Sequence, residues 1–159
     1  MDLGLQGKTA VITGGSKGIG FAIAEELARE GVDLHLATRS ARDLKQAATD
    51  VECRFGVRAT IHPVDLSDRN IRDAFARECT HVDILVNCAG AIPGGALEQV
   101  SEDAWRTAWD LKLFGYIGIT RIIYEECAGG AAVSSSTLSA LAASRPTPVI
   151  SSAGRTMRL

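Results

Sequence analysis

Along the first 128 residues, short apolar runs alternate with longer segments in which apolar residues recur every three or four positions. The short runs are β-branched or alternate apolar with polar residues, which is typical of strands, and the longer segments have the periodicity of helices packed on one face. Strands are predicted at residues 9–12, 32–38, 59–64 and 82–87, and helices at residues 21–30, 41–55 and about 68–78. Regular alternation of strand and helix favours a parallel sheet with helices on both faces.

Residues that start and stop helices stand at the ends of these segments. Gly31 and Gly56 follow the first two helices, where glycine commonly ends a helix. Ser40 is expected to cap the second helix, either Ser67 or Asp68 the third, and Ser101 a further segment that runs to about residue 126 as one or two helices. The predicted fold class is therefore α/β, a three-layer, Rossmann-type doubly wound parallel sheet.

The turn between the first strand and the first helix runs from Thr13 to Gly20 and reads Thr-Gly-Gly-Ser-Lys-Gly-Ile-Gly. Gly14 can adopt backbone angles that residues with a side chain rarely adopt. Gly18 and Gly20 let the loop and the helix lie close to a ligand and to the sheet. Free N–H groups and the helix dipole both attract an anion to the start of a helix, so this turn suits a phosphate group. The alternative is a tight turn that needs flexible residues and binds nothing.

Polar residues and glycines also interrupt the apolar pattern where the other predicted strands end. Thr38-Arg39 follows the second strand, Asp65-Leu66 the third, and Asn87-Cys88-Ala89-Gly90 the fourth. Ligands of open α/β sheets bind outside the carboxyl ends of the strands. These segments and the glycine loop are therefore predicted to form one site.

The loop resembles the Thr-Gly-x-x-x-Gly-x-Gly cofactor loop of the short-chain dehydrogenase/reductase family. Asp65-Leu66 resembles the family's adenine contact, and Asn87 to Gly90 resembles its Asn-Asn-Ala-Gly element, with Cys88 in place of an Asn. The resemblance covers residues 5 to about 125 and implies an NAD(P)-dependent oxidoreductase that transfers hydride between nicotinamide and an alcohol or ketone. For Asp65, helix capping is the alternative. The expected cofactor-binding residues are Gly14, Ser16, Lys17, Gly18, Ile19, Gly20, Arg39, Asp65, Leu66, Asn87, Ala89 and Gly90.

Charge at the end of the second strand favours NADP over NAD. An acidic residue there would accept hydrogen bonds from the ribose 2′-hydroxyl and repel a 2′-phosphate. Instead, Arg39 could pair with a 2′-phosphate, and Lys17 could add a second positive charge. The alternative is that both are solvated surface charges.

The family's catalytic residues are not all found. Its chemistry uses a Tyr as general acid/base, a Lys four residues later that lowers the pKa of that Tyr, a Ser that polarises the substrate oxygen, and an Asn that holds a relay water. The two tyrosines, Tyr116 and Tyr124, are followed at that spacing by Thr120 and Ala128, so the sequence has no Tyr-x-x-x-Lys. Lys112 stands at the Asn position, where it either serves the relay or is an exposed helix residue.

From residue 129 onward the chain is rich in small residues and lacks acids, and within it Ser135 is a weak candidate for the catalytic Ser. We divide the chain into an NAD(P)-binding domain, residues 1–128, and an atypical tail, residues 129–159, that is disordered or frameshifted. A one-base shift across residues 133–150 permits a strand ending in Asn-Val-Val-Gly and a later tyrosine. On this hypothesis the sheet is incomplete at its C-terminal side, the gene is truncated, and the chain as written is inactive.

Two other functions compete with an oxidoreductase. A non-catalytic nucleotide-binding or dimerisation module would explain the missing Tyr-x-x-x-Lys. A sugar-nucleotide epimerase would share the fold, but the spacing of the glycines disfavours it.

Length, composition and charge limit the classes of partner that the chain is expected to bind. A chain of 159 residues suits one domain, and a net charge of −2 with scattered Lys and Arg argues against a nucleic-acid partner. No apolar run reaches the roughly 20 residues of a membrane span, and no secretory signal is evident, so a cytoplasmic protein is expected. The four cysteines show no Cys-x-x-Cys pair, so no metal site is predicted. The family resemblance implies a small-molecule alcohol or ketone substrate and a homo-oligomer with contacts among residues 105–124.

Overall fold

The computed structural model describes residues 3–79, 81–91, 93–95 and 97–128, so Ser135 and the predicted tail lie outside the described residues. Its strands are β1 (Thr9–Thr13), β2 (Asp33–Thr38), β3 (Ala59–Pro63) and β4 (Ile84–Asn87). Its α-helices are α1 (Gly18–Arg29), α2 (Ala41–Phe55), α3 (Arg69–Glu78), α4 (Glu102–Trp109) and α5 (Tyr116–Ala128). A 3₁₀ turn, Leu97–Gln99, precedes α4, and a π-helical segment, Asp110–Gly115, joins α4 to α5.

The described strands form one parallel sheet in the order β3-β2-β1-β4. Successive residues of a strand point to opposite faces, and both faces are covered. Ile12 and Leu36 pack in a core with residues of α1 and α2, whereas Val11 and Ala37 pack with residues of α3 and α5. The predicted three-layer, Rossmann-type doubly wound sheet is confirmed.

The predicted helix ends are confirmed as well. Ser40, Asp68 and Ser101 are the N-caps of α2, α3 and α4, and each side chain accepts a hydrogen bond from a backbone N–H in the first turn. Gly31 and Gly56 have φ angles of +79° and +71°, the left-handed conformation that ends a helix. Local hydrogen-bonding chemistry therefore fixes these boundaries.

The start of α1 differs from the prediction. The helix begins at Gly18, inside the segment predicted as a loop, rather than at residue 21. Apolar periodicity cannot detect a first turn made of glycines, because glycine carries no side chain. The consequence is that the N-terminus of α1 lies directly beside the end of β1.

None of the helices in the described ranges combines the length and the hydrophobicity needed to cross a membrane.

At the amino end of the sheet, Asp83 ties the start of β4 to β1. Its carboxylate accepts hydrogen bonds from Lys8 Nζ at 2.8 Å and from the backbone N–H of Thr9 at 2.9 Å. These hydrogen bonds, with Lys8 the larger contributor, lower the pKa of Asp83 below the ordinary carboxyl value. The ionised form is thus the one that the fold stabilises.

We expect Asp83→Asn to lower the free energy of unfolding at pH 7 by about 0.5–1 kcal/mol, because Asp83 is partly exposed and exposed ion pairs are weak. A lowered pKa contributes stability above the ordinary carboxyl pKa, and this contribution is lost as the pH falls through the lowered value. The deficit of the variant should therefore shrink between pH 7 and pH 3, as measured by urea unfolding.

Asp50→Asn is the matched control, since Asp50 accepts a local hydrogen bond from Gln46 within α2 and joins no two strands. At pH 7, Asp50→Asn should lower the free energy of unfolding by less than Asp83→Asn does. If Asp83→Asn lowers the free energy of unfolding equally at pH 7 and pH 3, ionised Asp83 does not stabilise the fold as we expect.

Candidate cofactor site

The glycine loop is pressed between the carboxyl ends of β2 and β4. Gly14 has a φ of +72°, and its backbone N–H donates to the carbonyl of Ala37 at 2.7 Å. A Cβ atom on Gly14 would lie 2.9 Å from the backbone nitrogen of Ala89. Both the backbone angle and the contact exclude a side chain, so the special role predicted for Gly14 has a structural basis.

Gly20 brings the first turn of α1 onto the loop. A Cβ there would lie 2.3 Å from the carbonyl oxygen of Gly14, which is backbone and cannot move aside cheaply. At Gly18, by contrast, an added Cβ would meet no atom within 4 Å apart from its chain neighbours and the backbone of its own helix, so the space in front of this residue is open. The loop is therefore tight on the protein side and open on the outer side.

The N-terminus of α1 lacks the side-chain cap found on α2, α3 and α4. Its N-cap residue is Lys17, which makes no side-chain capping hydrogen bond, and the first turn contains no acidic residue. The N–H groups and the positive end of the helix dipole are thus not balanced by an acidic or hydroxyl side chain of the cap or first turn. Such an end fits an anionic ligand.

Thr13 holds the loop against β4. The residue is fully buried, and its Oγ1 accepts hydrogen bonds from the backbone N–H groups of Cys88 at 3.1 Å and Ala89 at 3.2 Å. The same hydroxyl donates to the carbonyl of Val86 at 3.4 Å. Thr13 belongs to the glycine-loop motif but is not among the predicted site residues, because a buried threonine in a β-branched run looks like ordinary core.

Asn87 and Leu66 lie beneath the site rather than on its surface. Asn87 is fully buried, and its amide donates to Thr120 Oγ1 of α5 at 3.1 Å, so it connects β4 to a helix. Its carbonyl oxygen Oδ1 is buried and finds no hydrogen-bond partner among the described residues. Leu66 is 4% exposed and packs in the core beneath α3 and α5.

Asp65 turns the chain from β3 toward α3. Its Oδ1 accepts hydrogen bonds from Ser67 Oγ at 2.7 Å and from the Ser67 backbone N–H at 3.0 Å. These bonds are the main cause that lowers the pKa of Asp65, and the positive charge of Arg39 adds to the effect. The capping role weighed for Asp65 belongs to Asp68, whose Oδ1 accepts from the N–H groups at the start of α3.

The two predicted cations lie at the rim. Arg39 follows β2, is exposed, and is close enough to Asp65 to act on its carboxylate. Lys17 is 82% exposed, and its Nζ is 4.0 Å from the carboxylate of Asp43 in the first turn of α2. Of the other loop residues, Ile19 is 53% exposed. Two positive charges therefore lie on the outer side of the loop, each close to a carboxylate.

Lys112 is half-buried beside the end of β4, so the interpretation as an exposed helix residue is wrong. A Cβ on Gly90 would be 3.3 Å from Cδ and Nζ of Lys112. The ammonium lies 5.8 Å from the ring centroid of Tyr116, four residues later. Lys112 belongs to the π-helical segment, and such insertions are frequent at functional sites.

Tyr116 fixes the backbone beside the lysine. Its hydroxyl donates to the carbonyl of Ala89 at 2.6 Å. Burial, with a smaller effect of Cys88, raises the pKa of Tyr116 to about 12. Burial also raises the pKa of Cys88, against the opposing charge of Lys112. Tyr116 is therefore a neutral phenol that holds Ala89 and Gly90 in place, not an activated acid/base.

Comparison with known proteins agrees with this geometry. The L-sorbose reductase of Gluconobacter frateurii, solved with NADPH and L-sorbose, superposes with a TM-score of 0.74 and 34% identity, covering 81% of this chain and 51% of the reductase. The 3-oxoacyl-[acyl-carrier-protein] reductase FabG of Chlamydia muridarum is 33% identical over 113 residues, which are 69% of this chain and 46% of that protein. An uncharacterized oxidoreductase of Methylorubrum extorquens is 30% identical over 133 residues, covering 81% and 54%.

The chain thus spans about half the length of the curated relatives that it matches. The sequence model described as short chain dehydrogenase matches residues 8–151, which is most of the chain and includes the glycine loop and every strand. With the parallel sheet, the loop at the end of β1 and the Thr13 contact to β4, this match identifies the protein: the chain belongs to the short chain dehydrogenase family.

Proposed function

We propose that this chain binds a nicotinamide dinucleotide, with a preference for NADP(H), as the cofactor-binding part of an oxidoreductase that transfers hydride between nicotinamide and a small alcohol or ketone. The main support for the proposal is the N-terminus of α1, which has no side-chain cap and lies beside a loop where Gly14 and Gly20 leave no room for a side chain. The L-sorbose reductase, solved with NADPH, and a Burkholderia cenocepacia short chain dehydrogenase, solved with NADP, support the choice of cofactor by analogy.

The residues present fit such a cofactor. The pyrophosphate would accept hydrogen bonds from backbone N–H groups at the start of α1, where the space beside Gly18 is open. Arg39 and Lys17 would pair with a 2′-phosphate, and Asp65 would face the adenosine half. Ala89 and Gly90, held by Tyr116 and Thr13, would border the nicotinamide half. The bound nicotinamide would supply or accept the hydride.

We assign cofactor binding, and not turnover, to these 159 residues. Reduction of a carbonyl requires a proton donor at the substrate oxygen, and the sequence has no Tyr-x-x-x-Lys to act as one. Tyr116 does not replace that donor because its hydroxyl is bonded to Ala89 and its pKa is raised to about 12.

Self-association is a second proposed property. Five large apolar side chains among the described residues are about half-exposed along α4, the π-helical segment and α5, namely Trp109, Leu113, Phe114, Ile117 and Tyr124. Contact between copies would remove this apolar surface from water. Sedimentation of the full chain at micromolar concentrations should show a dimer or a larger species, and a purely monomeric chain would contradict the proposal.

The first test is cofactor selectivity with Arg39→Ala. We expect NADPH to bind more tightly than NADH, and the variant to weaken NADPH about 10-fold while changing NADH less than about 2-fold, since the lost contact is one exposed charge-assisted pair. Thermal shift provides the second readout, because a ligand at 100 times its Kd stabilises by about 2.7 kcal/mol.

Arg29→Ala is the control, because it removes the same charge from the other end of α1, where Arg29 pairs with Glu26. It should leave both affinities unchanged. Equal losses for NADPH and NADH in Arg39→Ala would overturn the NADP preference, and binding of neither cofactor by the parent chain would overturn the proposed function.

Thr13 provides the second test. Thr13→Val keeps the shape of the side chain but removes the hydroxyl acceptor of the Ala89 N–H, while the Cys88 N–H keeps its hydrogen bond to the Thr13 carbonyl at 3.1 Å. The loss at Ala89 should cost about 1–3 kcal/mol in the free energy of unfolding. We also expect weaker NADPH binding because the end of β4 is no longer fixed against the loop. Thr13→Ser keeps the hydroxyl and should retain most of both properties.

Urea unfolding and NADPH titration measure the two effects. Equal behaviour of the Val and Ser variants would show that the hydroxyl of Thr13 does not determine stability or NADPH binding, and would contradict the assignment.

A further inference from the structure

Three side chains with metal-binding atoms meet between the sheet and α3, away from the glycine loop. His35 belongs to β2, His62 belongs to β3, and Cys79 is the residue that ends α3. One ring nitrogen of each histidine and the Cys79 sulfur all lie within 4.8 Å of one another. Within this group, His35 Nδ1 is 2.9 Å from His62 Nε2.

The fold itself produces this meeting. In the parallel pairing of β2 with β3, His35 lies opposite Thr60 and His62 lies opposite Ala37, so the two histidines are diagonal neighbours on one face of the sheet. That face is covered by α3, whose Phe75 meets the His62 ring edge-on at 5.1 Å between centroids. The position of both imidazoles is thus set by the strand register and by packing.

The pocket is largely closed to water. Cys79 is 1% exposed, and the side chain of His62 is 14% exposed. The second ring nitrogen of His62, Nδ1, is 4.0 Å from the Glu78 carboxylate. A metal-binding imidazole usually donates its outer N–H to a carboxylate, which orients the ring. At 4.0 Å Glu78 is too far for this hydrogen bond, and a small movement of its exposed side chain would form it.

We propose that His35, His62 and Cys79 form a zinc site. Two imidazole nitrogens and one thiolate are a donor set typical of Zn²⁺, with a water as fourth ligand on the side where His62 reaches the surface. Bonds of about 2.0–2.1 Å to nitrogen and about 2.3 Å to sulfur place tetrahedral donors roughly 3.3–3.7 Å apart. The two ring nitrogens, 2.9 Å apart, are closer than this range, and the three donor atoms all lie within 4.8 Å of one another. Small ring rotations would therefore complete the site.

Binding would join three separate elements. The Zn–S bond forms as the Cys79 thiol releases its proton to solvent, and neither the metal nor the sulfur changes oxidation state. The ion would connect β2 and the outer strand β3 to the end of α3. Since the site exists only in the folded chain, zinc should raise the thermal unfolding temperature.

The competing interpretation is a metal-free pair, in which one histidine donates a hydrogen bond to the other and Cys79 is a buried core thiol. The two interpretations differ in stoichiometric zinc binding and in whether sulfur is a ligand. Neither depends on the cofactor, so this proposal can fail while the proposed function stands, and the reverse.

The experiment titrates the full chain, stripped of metal with a chelator, with Zn²⁺ against a chromophoric chelator, and records absorption spectra with Co²⁺ as a probe. We expect one Zn²⁺ per chain and a Co²⁺ complex with a thiolate-to-metal charge-transfer band and strong visible bands of four-coordinate Co²⁺. Cys79→Ser and His62→Gln should each weaken Zn²⁺ binding by roughly 100-fold or more, and Glu78→Gln by about 10-fold.

Matched controls are Cys53→Ser and His81→Asn, since both residues are exposed and lie outside the group. They should bind Zn²⁺ like the parent chain. No stoichiometric Zn²⁺, a Co²⁺ complex without the thiolate band, or equal losses in the controls would each overturn the site. Should a pocket variant fail to fold, the Co²⁺ spectrum of the parent chain still decides whether sulfur is a ligand.

Discussion

The contact between the glycine loop and the carboxyl end of β4 is the constraint on which the site depends. Thr13 Oγ1 accepts the N–H groups of Cys88 and Ala89 at 3.1 and 3.2 Å, while Gly14 lies so close to Ala89 that a side chain cannot be accommodated. β1 and β4 are adjacent in space but far apart in sequence, and this contact fixes their ends relative to each other. As a result, the start of α1 and the Ala89-Gly90 backbone, the two surfaces that a dinucleotide would need, are held in one arrangement. Tyr116 supports it from α5 by its hydrogen bond to Ala89.

The helix boundaries and the alternation of strands and helices could be predicted from the sequence, because they depend on residues close together along the chain. Ser40, Ser101, Gly31 and Gly56 mark helix ends through hydrogen bonds and backbone angles that depend on a few neighbouring residues, and the structure has them in those roles. The layer order likewise follows from the alternation of strand and helix. The start of α1 was missed because glycines carry no periodic signal, although the same glycines identified the loop.

The sequence did not reveal the features that depend on contacts between residues far apart along the chain. Lys112 looked like a surface residue, yet the π-helical segment turns it toward Gly90 and the ring of Tyr116. The spacing of the cysteines predicts no metal site, because such rules look for ligands close together along the chain, whereas the zinc ligands that we propose, His35, His62 and Cys79, come from two strands and a helix end. The register of β2 with β3, which places both histidines on the face beneath α3, was the missing information.

In the function that we propose, the uncapped start of α1 and the end of β4 form one cofactor surface. Amide hydrogen exchange of the full chain with and without NADPH tests it most directly, because it reports which backbone N–H groups the ligand protects. We expect added protection at residues 14–21 and 88–90, with little change at the amino end of the sheet near Asp83. Protection confined to other parts of the chain, or no change at saturating NADPH, would contradict it.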